Sequence, residues 1–281
     1  MTTAVSTAPA IGLGRRLHDG LSAAYIIWFR DVLRFWRQKA RVVASLGQPL
    51  MFLLIFGSGF SAALGGGIRG ELGGTSYLRF LFPGIVAMPV LFTSVFSAIS
   101  VVWDREFGVL KEVLVAPISR TSLTLGKALG GSTVAMLQGA IMLLFAPVVG
   151  VSLSALQFVQ LLALLFLAAF ALSSMALVLA ARLHSMEAFQ MLMNFIVMPM
   201  FFLSGAFFPL SGLPMWMDVL TRLNPVAYAV DPARRIVLGA SKAPGISIGG
   251  HNLSTVEDAL ILSALALIMI IAAVRAFEAQ D

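Results

Sequence analysis

Six stretches of this chain, near residues 42–64, 81–102, 126–149, 157–181, 189–209 and 257–276, are apolar over a length that crosses a bilayer, and none carries a charge in its middle. A helix rises about 1.5 Å per residue, so roughly 20 residues span the hydrocarbon core. Only 11% of the residues are charged and 59% are apolar, whereas soluble domains carry about 25% charged residues. So few charges cannot clothe a water-facing surface of this size. The reading is an all-α integral membrane protein with six transmembrane helices, in one domain over residues 21–281 after a disordered tail at 1–20.

The net charge of +6 is local. Residues 1–41 hold seven basic residues against two acidic ones. With six spans both termini share a side, and 13 of the 19 basic residues fall on that side. Basic residues near span ends favour the cytoplasm, so the expectation is a multi-pass protein of the cell (inner or plasma) membrane with both termini cytoplasmic. Arg15 and Arg16 are followed by AAYIIWF, which is short, runs into Arg30 and has no cleavage-like site after it.

Over residues 21–41, Tyr25, Trp28, Phe29, Val32, Leu33 and Trp36 recur at helical spacing, and Arg30, Arg34, Arg37 and Arg41 form a second stripe. Aromatics on one face and arginines on another predict a helix lying in the membrane interface. The four arginines would face anionic lipid, at about 1 kcal/mol per basic residue near the surface. The expected contact is lipid, not nucleic acid.

Several function classes drop out. There are no cysteines, and the three histidines are scattered, so no metal spacing exists. The spans hold no mid-membrane carboxylate, which a proton-driven carrier needs. Gly126-Lys127-Ala128 resembles the end of a phosphate-binding loop, but Thr121 and Ala128 stand where glycine and a hydroxyl residue are required. The chain is expected to be no enzyme by itself, with no cofactor of its own. Gln138 and Asn194 are the notable polar residues at depth. Each suits a helix-to-helix hydrogen bond or, alternatively, a substrate's polar group.

Between the second and third runs lies WDREFGVLKEVLVAPISR, residues 103–120, with three charges of each sign. Read as a helix over 103–116, it places Trp103, Phe107, Leu110 and Leu114 on one stripe, with Asp104, Arg105, Lys111 and Glu112 opposite. Glu106 sits beside the apolar stripe, a position that needs a reason. Pro117 stops the helix. A helix of balanced charge suits a protein surface better than an anionic leaflet, although packing on the chain's own spans serves equally well.

Three stretches make the sequence similar to the membrane subunits of type-2 ABC exporters, in particular the daunorubicin-resistance-like drug and lipid exporters. They are FPGIVAMPVLFTSVFSAISVVWDREFGVLKEVLVAPISRTSLTLGKAL (82–129), FLSGAFFPLSGLPMWMDVLTRLNPVAYAVDPARRIVLG (202–239) and the amphipathic N-terminal helix. The resemblance implies a separate cytoplasmic ATPase holding ATP and magnesium, and a second permease chain, identical or related. It makes 103–116 the coupling helix, with Arg105, Glu106, Phe107, Leu110, Lys111, Glu112 and Leu114 toward the ATPase. It makes 210–238 a pair of external re-entrant helices, with Phe208, Pro209, Pro214, Asn224 and Pro225 at an outer gate. It lines the route with the first and fifth spans, the latter carrying Met198, Phe201 and Phe202, and Gln138 and Asn194 are the polar residues that could meet a substrate there. The implied cargo is an amphipathic drug or lipid. A polysaccharide or lipid-linked glycan permease, and a carrier or anchor without ATP, are the alternatives.

Overall fold

The computed structural model describes residues 13–63, 76–107, 119–210, 212–239, 245–248 and 251–279. Ten α-helices are found among them: α1 (Leu13–Arg37), α2 (Lys39–Ala63), α3 (Tyr77–Ser97), α4 (Ile99–Glu106), α5 (Arg120–Leu143), α6 (Ala155–Ala180), α7 (Met186–Phe202), α8 (Met215–Leu223), α9 (Ala227–Leu238) and α10 (Thr255–Glu278). One short antiparallel ladder, Ser247–Ile248 with His251–Asn252, precedes α10. The protein is an all-α membrane protein. In lipid no water can pair a free backbone group, and a helix pairs its own.

Five helices start at a serine whose hydroxyl accepts the backbone N–H three residues on: Ser76, Ser119, Ser154, Ser185 and Ser254. Ser154 and Ser254 complete the reciprocal bond with Gln157 and Glu257. A serine here fixes where a helix begins because it satisfies an amide with no partner inside the helix.

Among the described residues, four helical segments are long and apolar enough to cross a membrane: Val42–Gly59 within α2, Tyr77–Glu106 through α3 and α4, α6, and α10. The other two apolar runs hold α5 and α7. At 17 residues, α7 reaches about 25 Å, somewhat short of the roughly 30 Å core. Its helix stops at Phe202, and residues 203–208 turn back, where the sequence suggested a run to 209. α5 is long enough, but glycine, serine and threonine dilute its hydropathy.

That dilution accompanies a central place. α5 packs against α1, α2, α3, α6 and α10. A Cβ on Gly126 would lie 2.8 Å from the Ala24 carbonyl oxygen, and one on Gly131 would lie 2.3 Å from Ser97 Oγ. Small residues let helix backbones approach where no hydrophobic force drives them together.

α1 begins at Leu13, so residues 13–20, expected in the tail, are helical. It lies along α5 with Ala24 and Phe35 buried, and Trp28 Nε1 donates to Thr133 Oγ1 at 3.0 Å. Tyr25, Phe29 and Trp36 are exposed. The aromatic stripe is therefore split: Trp28 faces protein, and the other three rings face out. The glycine-lined groove of α5 accepts the side of α1 that carries Ala24, and that choice rotates the helix. Arg30, Arg34 and Arg37 are exposed, and the side chain of Arg41 lies outside the described residues.

α2 and α7 are edge helices. α2 packs chiefly on α3, and α7 on α3 and α4. Each presents a large apolar face: Met51, Leu54 and Ile55 on α2, and Met191, Phe195, Met198 and Phe202 on α7.

Candidate functional site

Polar side chains gather at three levels of this apolar body. At the level of the charged island, α4 ends at Glu106 and Phe107 is in a turn. Arg105 Nη1 donates to the carbonyls of Ala181 at 2.8 Å, Leu183 at 3.0 Å and Ala180 at 3.4 Å. The Ala180 and Ala181 carbonyls end α6, and that of Leu183 lies in the turn after it. Glu106 Oε2 accepts the Met186 N–H at 2.8 Å, and Met186 begins α7. The last carbonyls of a helix carry partial negative charge and the first amides partial positive charge. Adjacent residues of opposite sign thus hold both ends of one turn. The Met186 amide is the reason for the position of Glu106 beside the apolar stripe. Phe107 is 61% exposed, edge-on to the half-exposed Trp103 at 5.1 Å. Leu110, Lys111, Glu112 and Leu114 lie outside the described residues.

Deeper, Gln138 of α5 is 3% exposed. Its Nε2 donates to Ser45 Oγ of α2 at 2.8 Å, and its Oε1 accepts from Thr93 Oγ1 of α3. Of the two roles open to Gln138, the helix-to-helix bond is formed. Lys127, 4% exposed, donates to Ser100 Oγ at 2.9 Å and stands 3.9 Å from Asp31 of α1.

The five expected route residues do not form one cluster, although the Phe201 and Phe202 rings lie 5.8 Å apart. Phe201 is buried, against Phe92 and Phe207. Asn194, Met198 and Phe202 lie on the exposed face of α7. Gln138 belongs to the α2–α3–α5 junction.

At the other end, α9 is almost wholly buried. Arg234, 1% exposed, donates Nη2 to the carbonyls of Gly205 at 2.6 Å and Ala206 at 3.4 Å, and Nε to that of Phe80 at 3.4 Å. Its guanidinium lies 3.8 Å from the Phe80 ring centre. Arg235 pairs with Asp231 one turn away, donates to the Leu253 carbonyl and stands 3.4 Å from Asp258 of α10. Asp231 also accepts the Ile246 N–H at 3.0 Å. Burial pushes the Asp231 carboxyl above its ordinary value, against the downward pull of that amide and the Arg235 and Arg234 charges.

Asn224 is buried as well. Its Nδ2 donates to the Met200 carbonyl at 2.6 Å, and its Oδ1 accepts the Val226 N–H at 3.0 Å, so it joins the end of α7 to the start of α9. Phe208, Pro209 and Pro225 are half-buried, and Pro214 is exposed. The aromatic hub is Phe207, which sequence reasoning passed over for its neighbour. Its ring lies 5.2 Å from Phe201, 5.3 Å from Phe202, 5.6 Å from Phe56 and 6.3 Å from Phe52. Asp231 and Asp258 were missed too. The Asp231–Arg235 spacing of four was a readable signal.

The chain matches the ABC-2 type transporter family over residues 22–238. It is 29% identical to nodulation protein J of Rhizobium meliloti (strain 1021) over 235 residues, covering 80% of this chain and 84% of that one. It is 31% identical over 210 residues to the transport permease ycf38 of Pyropia yezoensis, covering 73% and 70%. With the ycf38 permease of Cyanophora paradoxa it shares 28% over 212 residues, covering 75% and 72%.

Proposed function

The chain belongs to the ABC-2 type transporter family, and from that premise we propose that it is the permease of an ATP-driven exporter of amphipathic drugs or lipid-like molecules. In this reading two permease chains pair above two ATPase subunits, which bind ATP and magnesium. α2, α3 with α4, α5, α6, α7 and α10 are the six spans. Both termini are cytoplasmic, in the inner or plasma membrane. α8 and α9 are the external re-entrant pair, and Arg30, Arg34, Arg37 and Arg41 meet anionic lipid.

The observation that carries the reading is the grip of Arg105 and Glu106 on the α6–α7 turn. A segment seated on an ATPase does nothing unless its motion reaches the spans. Here the end of α4 is bonded to the carbonyls at the end of α6, to that of Leu183 in the turn after it, and to the first amide of α7. Phe107 and Trp103 are exposed beside that grip, as a docking segment requires. Nucleotide-driven movement of residues 103–116 would therefore pull on α7.

The test is reversal of charge at Glu106 in the permease co-expressed with its ATPase. Glu106→Lys should insert and co-purify normally, hydrolyse ATP and export at least tenfold less. Normal export from that variant would sink the reading.

A further inference from the structure

A cavity of about 550 Å³ lies between α1, α2, α3, α4 and α5, with Met186 at its edge. That is the size of a small-molecule site. It extends from the level of the Asp31–Lys127 pair to Gln138, eleven residues further along α5, or about 16 Å. Its lining carries the polar side chains of Ser45, Thr93, Ser97, Ser100 and Gln138, and the rings of Phe92, Phe96 and Trp103, which interleave with Thr93, Ser97 and Ser100 along α3 and α4.

The polar side chains have a definite hydrogen-bonding sense. Ser97 Oγ donates to the Ser94 carbonyl at 2.7 Å and Ser45 Oγ to that of Val42 at 2.8 Å. Thr93 donates to Gln138. A hydroxyl that has given its proton to a neighbour keeps lone pairs to offer. Ser45 Oγ already accepts from Gln138 Nε2 at 2.8 Å and Ser100 Oγ from Lys127 at 2.9 Å, so the acceptors that remain are those of Ser97 and Thr93, which suit a ligand with O–H or N–H donors.

The lining charges are Asp31 and Arg34, one of each sign. Asp31 is already met by Lys127 at 3.9 Å and Arg30 at 3.7 Å. A cationic head finds no free carboxylate, and an anionic head finds a cation only in the exposed Arg34, while against Ser97 and Thr93 it would set acceptors against acceptors. The geometry points to this cavity as the binding site for the uncharged, hydroxyl- or amide-bearing head of a substrate with an apolar tail. The proposal rests on the export reading and names the substrate class within it. The rings of Phe92, Phe96 and Trp103 cover the apolar face of the head.

The experiment is direct binding to the permease in phosphatidylcholine nanodiscs. Three probes share an eight-carbon chain: octyl glucoside, octyl phosphate and octyltrimethylammonium. The readout is a tryptophan fluorescence change that Trp103→Phe removes. The glucoside should saturate at least tenfold more tightly than either charged probe. Thr93→Val and Ser97→Ala should each weaken it three- to tenfold, the scale of one neutral hydrogen bond. If Thr93→Val fails to fold, Ser97→Ala decides. Equal affinity for the three heads, or an unchanged glucoside affinity in both variants, overturns the site. A permease that ignores the glucoside yet exports with its ATPase loses this site and keeps the exporter reading. One that binds it but never exports under ATP does the reverse.

Discussion

At the α9 end of the molecule, Arg234 and Asp231 are buried and bonded to backbone from α3, the 203–208 turn and the segment before the short ladder. At the α4 end, Glu106 is exposed and Arg105 half-buried, and each holds a helix terminus across one turn. Both arrangements match charge to charge, but they respond differently to loss. A buried guanidinium removed from its carbonyls strands several polar groups where no water can replace it. An exposed carboxylate removed from a helix start leaves an amide that water can reach. The first arrangement keeps segments together. The second can break and re-form, which a moving joint requires.

The largest effect should come from breaking the buried side. Arg234→Ala is expected to remove about 3–5 kcal/mol and to leave little folded protein in detergent by size-exclusion chromatography. Arg234→Lys should rescue little, because an ammonium cannot fork between the Gly205 and Phe80 carbonyls. A well-folded Arg234→Ala protein would mean that this end is not held by its charges, and the contrast would collapse.

On the exposed side the expectation inverts. Glu106→Lys should lower export at least tenfold while the amount of folded permease stays at the unsubstituted level. Glu106→Gln keeps an oxygen for the Met186 amide and should fall between. If Glu106→Lys instead reduced folded protein as Arg234→Ala does, the joint would be another structural staple.

The Lys127–Asp31 pair lies between these cases. Lys127 is buried, and Asp31 also has Arg30 beside it at 3.7 Å. Lys127→Met should cost about 1–3 kcal/mol, read as a lower melting temperature. Quenching of Tyr25 and Trp28 by a water-soluble agent should rise if α1 loosens from α5.

How far such features can be read from residues alone depends on the distance over which they are made. The spans rest on local composition, so apolar runs find α2, α3, α6 and α10. α5 is harder, because Gly126, Gly130, Gly131 and Ser132 lower the signal that marks a span while fitting the helix for its central place. In α1 the period shows an amphipathic helix but not which side meets protein, since Trp28 and Tyr25 look alike until Gly126 and Thr133 take a position opposite them. The Glu106–Met186 bond joins residues 80 apart, and nothing local to either announces the other. The strangeness of Glu106 beside an apolar stripe was visible, and its cause was not.

The smallest effects should fall on the aromatic pair in the 203–208 turn, and they separate a hub from its neighbour. Phe207 and Phe208 are adjacent and chemically identical, and residues 203–208 have no helical period that would tell their faces apart. The fold does so by stacking Phe207 among Phe201, Phe202, Phe56 and Phe52, while its carbonyl accepts the Tyr77 hydroxyl at 3.1 Å. Phe207→Ala should cost about 2 kcal/mol, below the range for a fully enclosed phenylalanine because the ring is only half-buried. Phe208→Ala should cost about 1 kcal/mol or less, measured by thermal unfolding in the same detergent. Those rings join the end of α7 to α2, the two edge helices, through the turn that leads to α8. If Phe207→Ala alters export without lowering the melting temperature, the α9 end also contains a moving part, and it lies in this aromatic cluster instead of the charges of α9.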